Sequence, residues 1–439
     1  MPETNVAVRV VVIRLRAGAK HQDIYMFRWD RRRQMEASTM PVDTAAEINY
    51  DPFDPEIDRD PHPIWRRMRE ERPLYWNEKY EFWALSRFVD VWAAYFDTQT
   101  FSSTHGVMLE TLDRPTDFPS VIFMDPPEHE VMRKLVSRAF TPRRIAALEA
   151  HVAVLVDDYL EPFVGSSGFD YVEQFGALLP PMVIGHMLGV PESDRDLTRR
   201  WFDQMLHREG GSGAPSTEAM EAGLALHGYA TSLVAERRRR PADDMLSVLL
   251  AAEIEDRGAS RRLTDPEIVH FVLLLAGAGS ETVARLLSWA AVVLARHPDE
   301  RRRLVDDPGL IPNAIEELLR FEAPSPVNGR WTLRPFTAYG AEVPAESKVL
   351  LLNGSANRDQ REFDEPDRFD VGRTVKRHIT FGYGPHYCLG AAMARLEGRI
   401  ALTSTLARFP EWTIDEDELV RVQTTTVRGF SSVPLHIER

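Results

Sequence analysis

The sequence predicts a mainly α fold with a smaller β portion. Two observations carry that prediction. Apolar residues recur at helical spacing through most of the chain beyond about residue 60. One such pattern, from Thr264 to His297, runs for roughly thirty residues, far above the ~11–12 of an average globular helix. Strand-like runs are few and short, at Leu74–Trp76, Phe82–Leu85, Val349–Leu352 and Val433–Ile437.

The helices follow in order. Pro61–Glu71 reads as the first, then Ser86–Phe96, His129–Ala139, Pro142–Phe163, Phe175–Leu188, Asp194–His207 and Thr217–Arg240. The patch "EGGSGAPS", Glu209–Ser216, lies between the last two and suits either a lid hinge or a surface loop. "LTDPE" opens the long helix: Thr264 caps it, Glu267 completes a capping box, and Pro266 sits where a missing N–H costs nothing. Pro298 ends it. A last helical pattern starts near Leu389 and continues to Leu406.

Composition narrows the class. Of 439 residues 44% are hydrophobic and 27% charged, enough for a large core. A net charge of -14 argues against nucleic acid as a partner. A single cysteine excludes a disulfide framework and fits a reducing compartment. No run reaches the ~18 apolar residues of a membrane span, and Val6–Leu15 is broken by Arg9 and Arg14. The expectation is a cytoplasmic protein. Residues 1–45 are Arg-rich without a clear period, so they read as a loosely attached extension or as the product of a start codon assigned too early, with Met35 or Met40 the true start. Residues 46–439 read as one domain.

The long helix has an odd centre, "LLLAGAGSETVA". Gly277 and Gly279 each cost roughly 1 kcal/mol relative to Ala in a helix interior. Either a distorted turn frees a carbonyl there, or the glycines let a neighbouring element pack closely. Glu281 and Thr282 follow, an acid beside an alcohol, a pair able to pass protons.

The one cysteine, Cys388, lies in "FGYGPHYCLG" just ahead of the last helix. A sulfur there meets free N–H groups and the positive end of the helix dipole, which favour the thiolate. No second Cys or suitably spaced His accompanies it, so a tetrahedral zinc site does not fit. A lone thiolate ligand points to a metal that brings its other ligands with it, which is haem.

With these residues in view the chain resembles the cytochrome P450 superfamily, of the bacterial kind. Phe381, Gly384, Cys388 and Gly390 match its haem-ligand loop. "AGSET" resembles its oxygen-binding helix motif, with Ala278 preceding Glu281 and Thr282. "EELLR" supplies Glu317 and Arg320, "PDRF" supplies Arg368, and "DPPEHEVMRKLVSRAFTP" carries His129 and Arg133. The resemblance runs from about Asp51 to Ile437. It implies the cytochrome P450 fold, with haem b (iron protoporphyrin IX) held between the long helix and the Cys-loop helix.

The resemblance also implies roles. Cys388 is expected as the axial ligand, shielded by Phe381. His129, Arg133, Arg330 and His386 are expected on the haem propionates. Thr282 is expected to hydrogen-bond activated dioxygen, and Glu281 to relay protons. Glu317, Arg320 and Arg368 are expected as a structural charge cluster. The implied reaction puts one atom of dioxygen into an apolar small molecule, by hydroxylation or epoxidation. No flavin or iron–sulfur segment is visible, so electrons are expected from a ferredoxin and its reductase, with NAD(P)H acting only through them. Arg133, Lys134, Arg138, Arg143, Arg144, Lys376 and Arg377 are candidates for a basic docking patch.

The substrate pocket is expected from the loop Ser102–Val121, the lid Trp201–His227, the long helix and the loop Thr424–Phe430. Met108, Leu109, Leu274, Leu275, Val327 and Asn328 are its candidate lining residues, with Leu112 and Phe271 beside them. Their character favours an apolar molecule, with terpenoid, steroid, fatty acid and polyketide all open. A peroxide-driven peroxygenase would not need Glu281 and Thr282. A non-catalytic haem-binding sensor would need a transducing domain for which no length is left.

Overall fold

The computed structural model describes residues 11–17, 20–26, 48–115, 120–206, 216–256, 259–422, 424 and 426–437. Helices dominate, and the helix Asp265–Arg296 runs unbroken through the middle of the largest hydrophobic cluster. The sequence dictates both of its ends. Thr264 accepts the Glu267 N–H at 3.4 Å, and the Glu267 carboxylate accepts the Thr264 N–H at 2.8 Å. The chain turns at His297, and Pro298 starts a new helix, Pro298–Asp306. Around this central helix pack Leu179–Leu188, Thr217–Arg239 and Ala391–Arg408. Two indoles tie its C-terminal half to the C-terminal part of the chain. Trp289 Nε1 donates to the Arg428 carbonyl, and Trp412 Nε1 donates to the Ala291 carbonyl, each at 3.0 Å.

By length and composition this helix is long and apolar enough to cross a membrane. In the fold it is the core helix, with Leu286, Leu287 and Trp289–Leu294 all buried.

The main sheet has five strands, ordered Leu74–Asn77, Phe82–Leu85, Lys348–Leu351, Asn328–Thr332 and Phe101–Ser102. Lys348–Leu351 pairs parallel with Phe82–Leu85 and antiparallel with Asn328–Thr332. Arg330 lies opposite Val349 in that register.

The expected helices form, with shifted edges. Pro142–Phe163 divides into Pro142–Ala147 and Glu149–Leu160, because the Leu148 N–H bonds back to Ile145 at 3.1 Å and turns Leu148 into the core. The helix expected from Phe175 starts at Leu179. A π-helical turn, Val172–Gly176, precedes it, and Pro180 and Pro181 occupy the first turn of the new helix. Near the N-terminus, where no period is visible in the sequence, Val11–Ala17 and Lys20–Met26 pair as an antiparallel hairpin. Residues 209–215 of the expected lid hinge, His207 and residues 116–119 of the expected pocket loop lie outside the described residues.

Candidate active site

The loop that carries Cys388 is fixed by backbone hydrogen bonds and two left-handed glycines. Gly382 donates to the Ile379 carbonyl and Cys388 to the Phe381 carbonyl, each at 2.8 Å. Gly382 and Gly384 have φ of 64° and 66°, a conformation a side chain resists. A Cβ on Gly384 would come within 2.5 Å of the Tyr95 carbonyl oxygen, so the helix Phe88–Phe96 and the loop meet backbone to backbone.

Cys388 is partly buried. Burial pushes its thiol up, against the pull of the Gly390 and Ala391 N–H groups and of Arg133 and Arg395. The net upward direction leaves a neutral thiol, a poor nucleophile, which a metal ion would deprotonate. The chemistry therefore argues against a reactive cysteine.

Beside it the fold gathers four of the expected cofactor residues from three separate elements. His129 comes from the helix Glu128–Val136, Arg330 from its strand, and His386 from the Cys loop. The two imidazoles lie 4.2 Å apart, ring to ring. His129 is 1% exposed, and neither of its ring nitrogens has a hydrogen-bond partner among the described residues. His386 bonds the Met124 backbone, but its buried Nε2 has no partner. Burial, reinforced by the neighbouring guanidiniums, lowers His129 to about 4 and His386 to about 2. Arg330 is buried, donates to the Gly329 carbonyl at 2.7 Å and lies 5.3 Å over the Tyr95 ring. Arg133 donates to the Tyr387 carbonyl. Buried ring nitrogens without partners cost free energy. Anionic oxygens placed there would satisfy them and would favour a second proton on each imidazole.

On the central helix, Ala278 is exposed although the helix around it is largely buried. The Thr282 hydroxyl donates to the Ala278 carbonyl at 2.8 Å. Glu281 lies 3.8 Å from Arg285, whose guanidinium also donates to the Phe430 carbonyl. The distorted turn that the glycines allowed does not form. A Cβ on Gly277 would meet Phe202 at 3.0 Å, and one on Gly279 would meet Ile184 at 2.8 Å, so both glycines serve close packing.

The charge cluster needs one correction. Glu317 and Arg320 are fully buried and paired through two hydrogen bonds, of 2.6 and 2.7 Å. The second cation on Glu317 is Arg373, at 3.1 Å, and not Arg368. The Arg368 side chain is 58% exposed and faces Glu365 and Asp370, while its carbonyl accepts from Arg320 and Arg373. The patch of expected docking cations also loses two members. Arg133 turns inward, and Arg377 is held by Glu362 at 2.6 and 2.8 Å. Lys134, Arg138, Arg143 and Lys376 remain exposed, and Arg144 is partly buried.

The expected pocket residues fall into two groups. Leu109, Leu112 and Val327 share a buried cluster with Tyr50 and Trp65, whereas Leu274 and Leu275 belong to the cluster of the central helix. Met108 is exposed, and Asn328 is partly buried at the start of its strand. A cavity of about 50 Å³ opens against the central helix, lined by Phe202, Leu226, Val272, Ala276 and Ser280. Phe202 and Leu226 fall in the expected lid and Val272, Ala276 and Ser280 on the long helix, though none of the five is among the individually named lining candidates. Sequence reasoning also missed Glu316, Arg373, His378, Arg395 and Glu397. Arg395 stands in the second turn of the helix that follows the Cys388 loop, but no spacing in the sequence ties it to Cys388.

The family model for cytochrome P450 matches residues 215–307 and 309–438. The chain belongs to the cytochrome P450 family. Cytochrome P450 130 of Mycobacterium tuberculosis is 38% identical over 388 residues, covering 86% of this chain and 95% of that protein. The vitamin D(3) 25-hydroxylase of Pseudonocardia autotrophica is 36% identical over 404 residues, covering 90% and 98%. Among solved structures, CYP109E1 of Bacillus megaterium in complex with corticosterone superposes with a TM-score of 0.79 at 32% identity, covering 87% of this chain and 99% of that one.

As a cytochrome P450 this protein is a haem-thiolate monooxygenase, and its residues fit the cofactor. Three buried imidazole nitrogens without partners among the described residues, two guanidiniums and a thiol at a helix start lie together with no carboxylate among them. A porphyrin with two carboxylates and an iron supplies what that set lacks. No group of three or more His, Cys, Asp or Glu among the described residues offers a rival metal site.

Proposed function

We propose that this cytochrome P450 takes an apolar small molecule and hydroxylates or epoxidises it, with Cys388 as the sole protein ligand of haem b. The observation that carries the reading is the gathering of His129, Arg133, Arg330 and His386 around the Cys388 loop, with ring nitrogens left unpartnered. Bound haem supplies dioxygen activation. The chain's own residues do the rest. Arg330 and Arg133 hold carboxylates, and a guanidinium matches a carboxylate geometrically. Phe381 covers the cysteine, and Gly390 and Ala391 donate N–H groups to its sulfur. Thr282 leaves the Ala278 carbonyl to hold a proton at its Oγ1, and Glu281 swings from Arg285 to resupply it.

The steroid and secosteroid class heads the substrate list. One relative is named for vitamin D(3), and one solved structure holds corticosterone. The apolar side chains of Leu109, Leu274, Leu275 and Val327 suit such a molecule. Two electrons come from NAD(P)H through a ferredoxin reductase and a ferredoxin, which docks on the exposed Lys134, Arg138, Arg143 and Lys376. We assign residues 46–439 as the catalytic unit, residues 1–45 as an extension to it, and the cytoplasm as its place of work.

The test is turnover of a steroid panel with a ferredoxin pair under ¹⁸O-labelled dioxygen. One labelled atom per product molecule supports the reading. Product that carries oxygen only from added peroxide overturns it in favour of a peroxygenase.

A further inference from the structure

A charged cluster lies behind the Cys loop and has no part in the roles assigned so far. Arg395 donates from Nε and Nη2 to Glu316, at 2.6 and 2.8 Å. Its Nη1 reaches the Tyr387 hydroxyl at 3.3 Å, and its guanidinium lies 4.5 Å over the Phe381 ring. Phe381 and Tyr387 are the residues that hold Cys388. The Phe381 carbonyl accepts the cysteine N–H, and Tyr387 precedes it in the chain. The other side of Glu316 is also occupied. The Thr380 N–H donates to His378 Nδ1 at 3.3 Å, so the proton of that neutral ring sits on Nε2, which faces Glu316 at 3.2 Å. Glu316 is thus aimed at Arg395 by a buried imidazole and by the fork of the guanidinium itself.

A guanidinium keeps its charge at every relevant pH. How much of that charge reaches the Cys388 sulfur depends on how well Glu316 cancels it. Arg395 acts favourably on the sulfur's charged form. We propose that the Glu316–Arg395 pair sets the one-electron reduction potential of the haem through the Cys388 ligand. Arg395 and Glu316 are positioning residues in this account, and His378 fixes the geometry of the pair. Reduction adds one electron, from dithionite in the test or from the redox partner in turnover. An uncompensated positive charge beside the ligand favours the reduced state, and an uncompensated negative charge disfavours it.

The proposal rests on Cys388 as the iron ligand. The experiment is a potentiometric titration of the haem-loaded protein at low ionic strength. Arg395→Gln strips the cation and leaves Glu316, so the equilibrium should shift about tenfold toward the oxidised form, about 59 mV for one electron. Glu316→Gln should shift it by a similar factor in the opposite direction. The double variant should return to within about threefold of wild type. Arg395→Lys, which keeps charge without the fork, should move it less than Arg395→Gln. Single variants that shift in the same direction, or that stay within about threefold of wild type, overturn the proposal. The reduced, carbon monoxide-bound spectrum separates the two levels. A wild-type spectrum without the thiolate signature overturns the ligand assignment, whereas an intact signature with unmoved potentials overturns the tuning alone.

Discussion

Replacing Arg373 with Met should destabilise the protein by about 3 kcal/mol, and replacing Arg368 with Met should not. Arg373 gives Nε to Glu317 at 3.1 Å and its two Nη atoms to the carbonyls of Asp364, Glu365 and Arg368 at 2.6 to 3.0 Å. Those three residues are exposed, so water can replace the lost donors. Glu317 is different, with a side chain 0% exposed. Removing one partner of a buried ion pair costs ~3–5 kcal/mol. Arg320 stays on both carboxylate oxygens and the Asp370 N–H remains at 3.2 Å, which places the cost at the low end. A cost of ~3 kcal/mol is roughly a hundredfold in the folding equilibrium. Arg368 pairs with a Glu365 side chain that is 71% exposed, and such surface pairs are worth ~0–1 kcal/mol. Urea denaturation of both variants, followed by far-UV circular dichroism and haem absorbance, gives the comparison. Equal losses, or a larger loss for Arg368→Met, would refute the assignment of Arg373 to Glu317.

Three further outcomes are expected. Thr282→Ala should keep haem content and substrate binding but lose product per electron pair consumed, with hydrogen peroxide released instead; the ~10²–10⁴-fold that a positioned proton donor supplies bounds the effect, and wild-type coupling would return "AGSET" to a packing role. Gly384→Ala forces a side chain into φ 66° and 2.5 Å from the Tyr95 carbonyl, so haem retention after gel filtration should collapse; full retention would show that the loop can shift away from Tyr95. Burial raises Glu397 to about 8, and both of its oxygens lack partners among the described residues. The unfolded chain ionises this group near 4.5, so wild-type stability should fall as pH rises from about 5 to 8, and the advantage of Glu397→Gln should grow over that window. A pH-independent difference in urea midpoints would contradict that.

Much of the fold is legible in the sequence because local chemistry decides it. Thr264, Pro266 and Glu267 announce the central helix, and Pro298 ends it. The short helix Met245–Ala251 escapes the sequence reading although Asp244 caps it, because its few residues carry too little period to stand out. The cysteine loop is legible because the lone Cys388 stands at the offsets from Phe381, Gly384 and Gly390 that the family resemblance requires, with Gly382 and Gly384 supplying the left-handed turn. What escapes is whatever depends on distant partners. The purpose of Gly277 and Gly279 is set by Phe202 and Ile184, far off in sequence. Arg368 and Arg373 look equally able to reach Glu317, and only the path of the loop turns one outward and the other in. His378, Glu316 and Arg395 each read as ordinary surface residues until the fold brings them together behind Phe381.

The central claim is that Cys388 is the axial ligand of haem in this chain. The most direct measurement is the absorption spectrum of the reduced, carbon monoxide-bound protein, wild type beside Cys388→Ala. The wild type should show the strongly red-shifted Soret band of thiolate-bound haem, and the variant should lose it while the apoprotein keeps its helical circular dichroism. A red-shifted band that survives in Cys388→Ala, or that is missing from fully loaded wild type, would contradict the account.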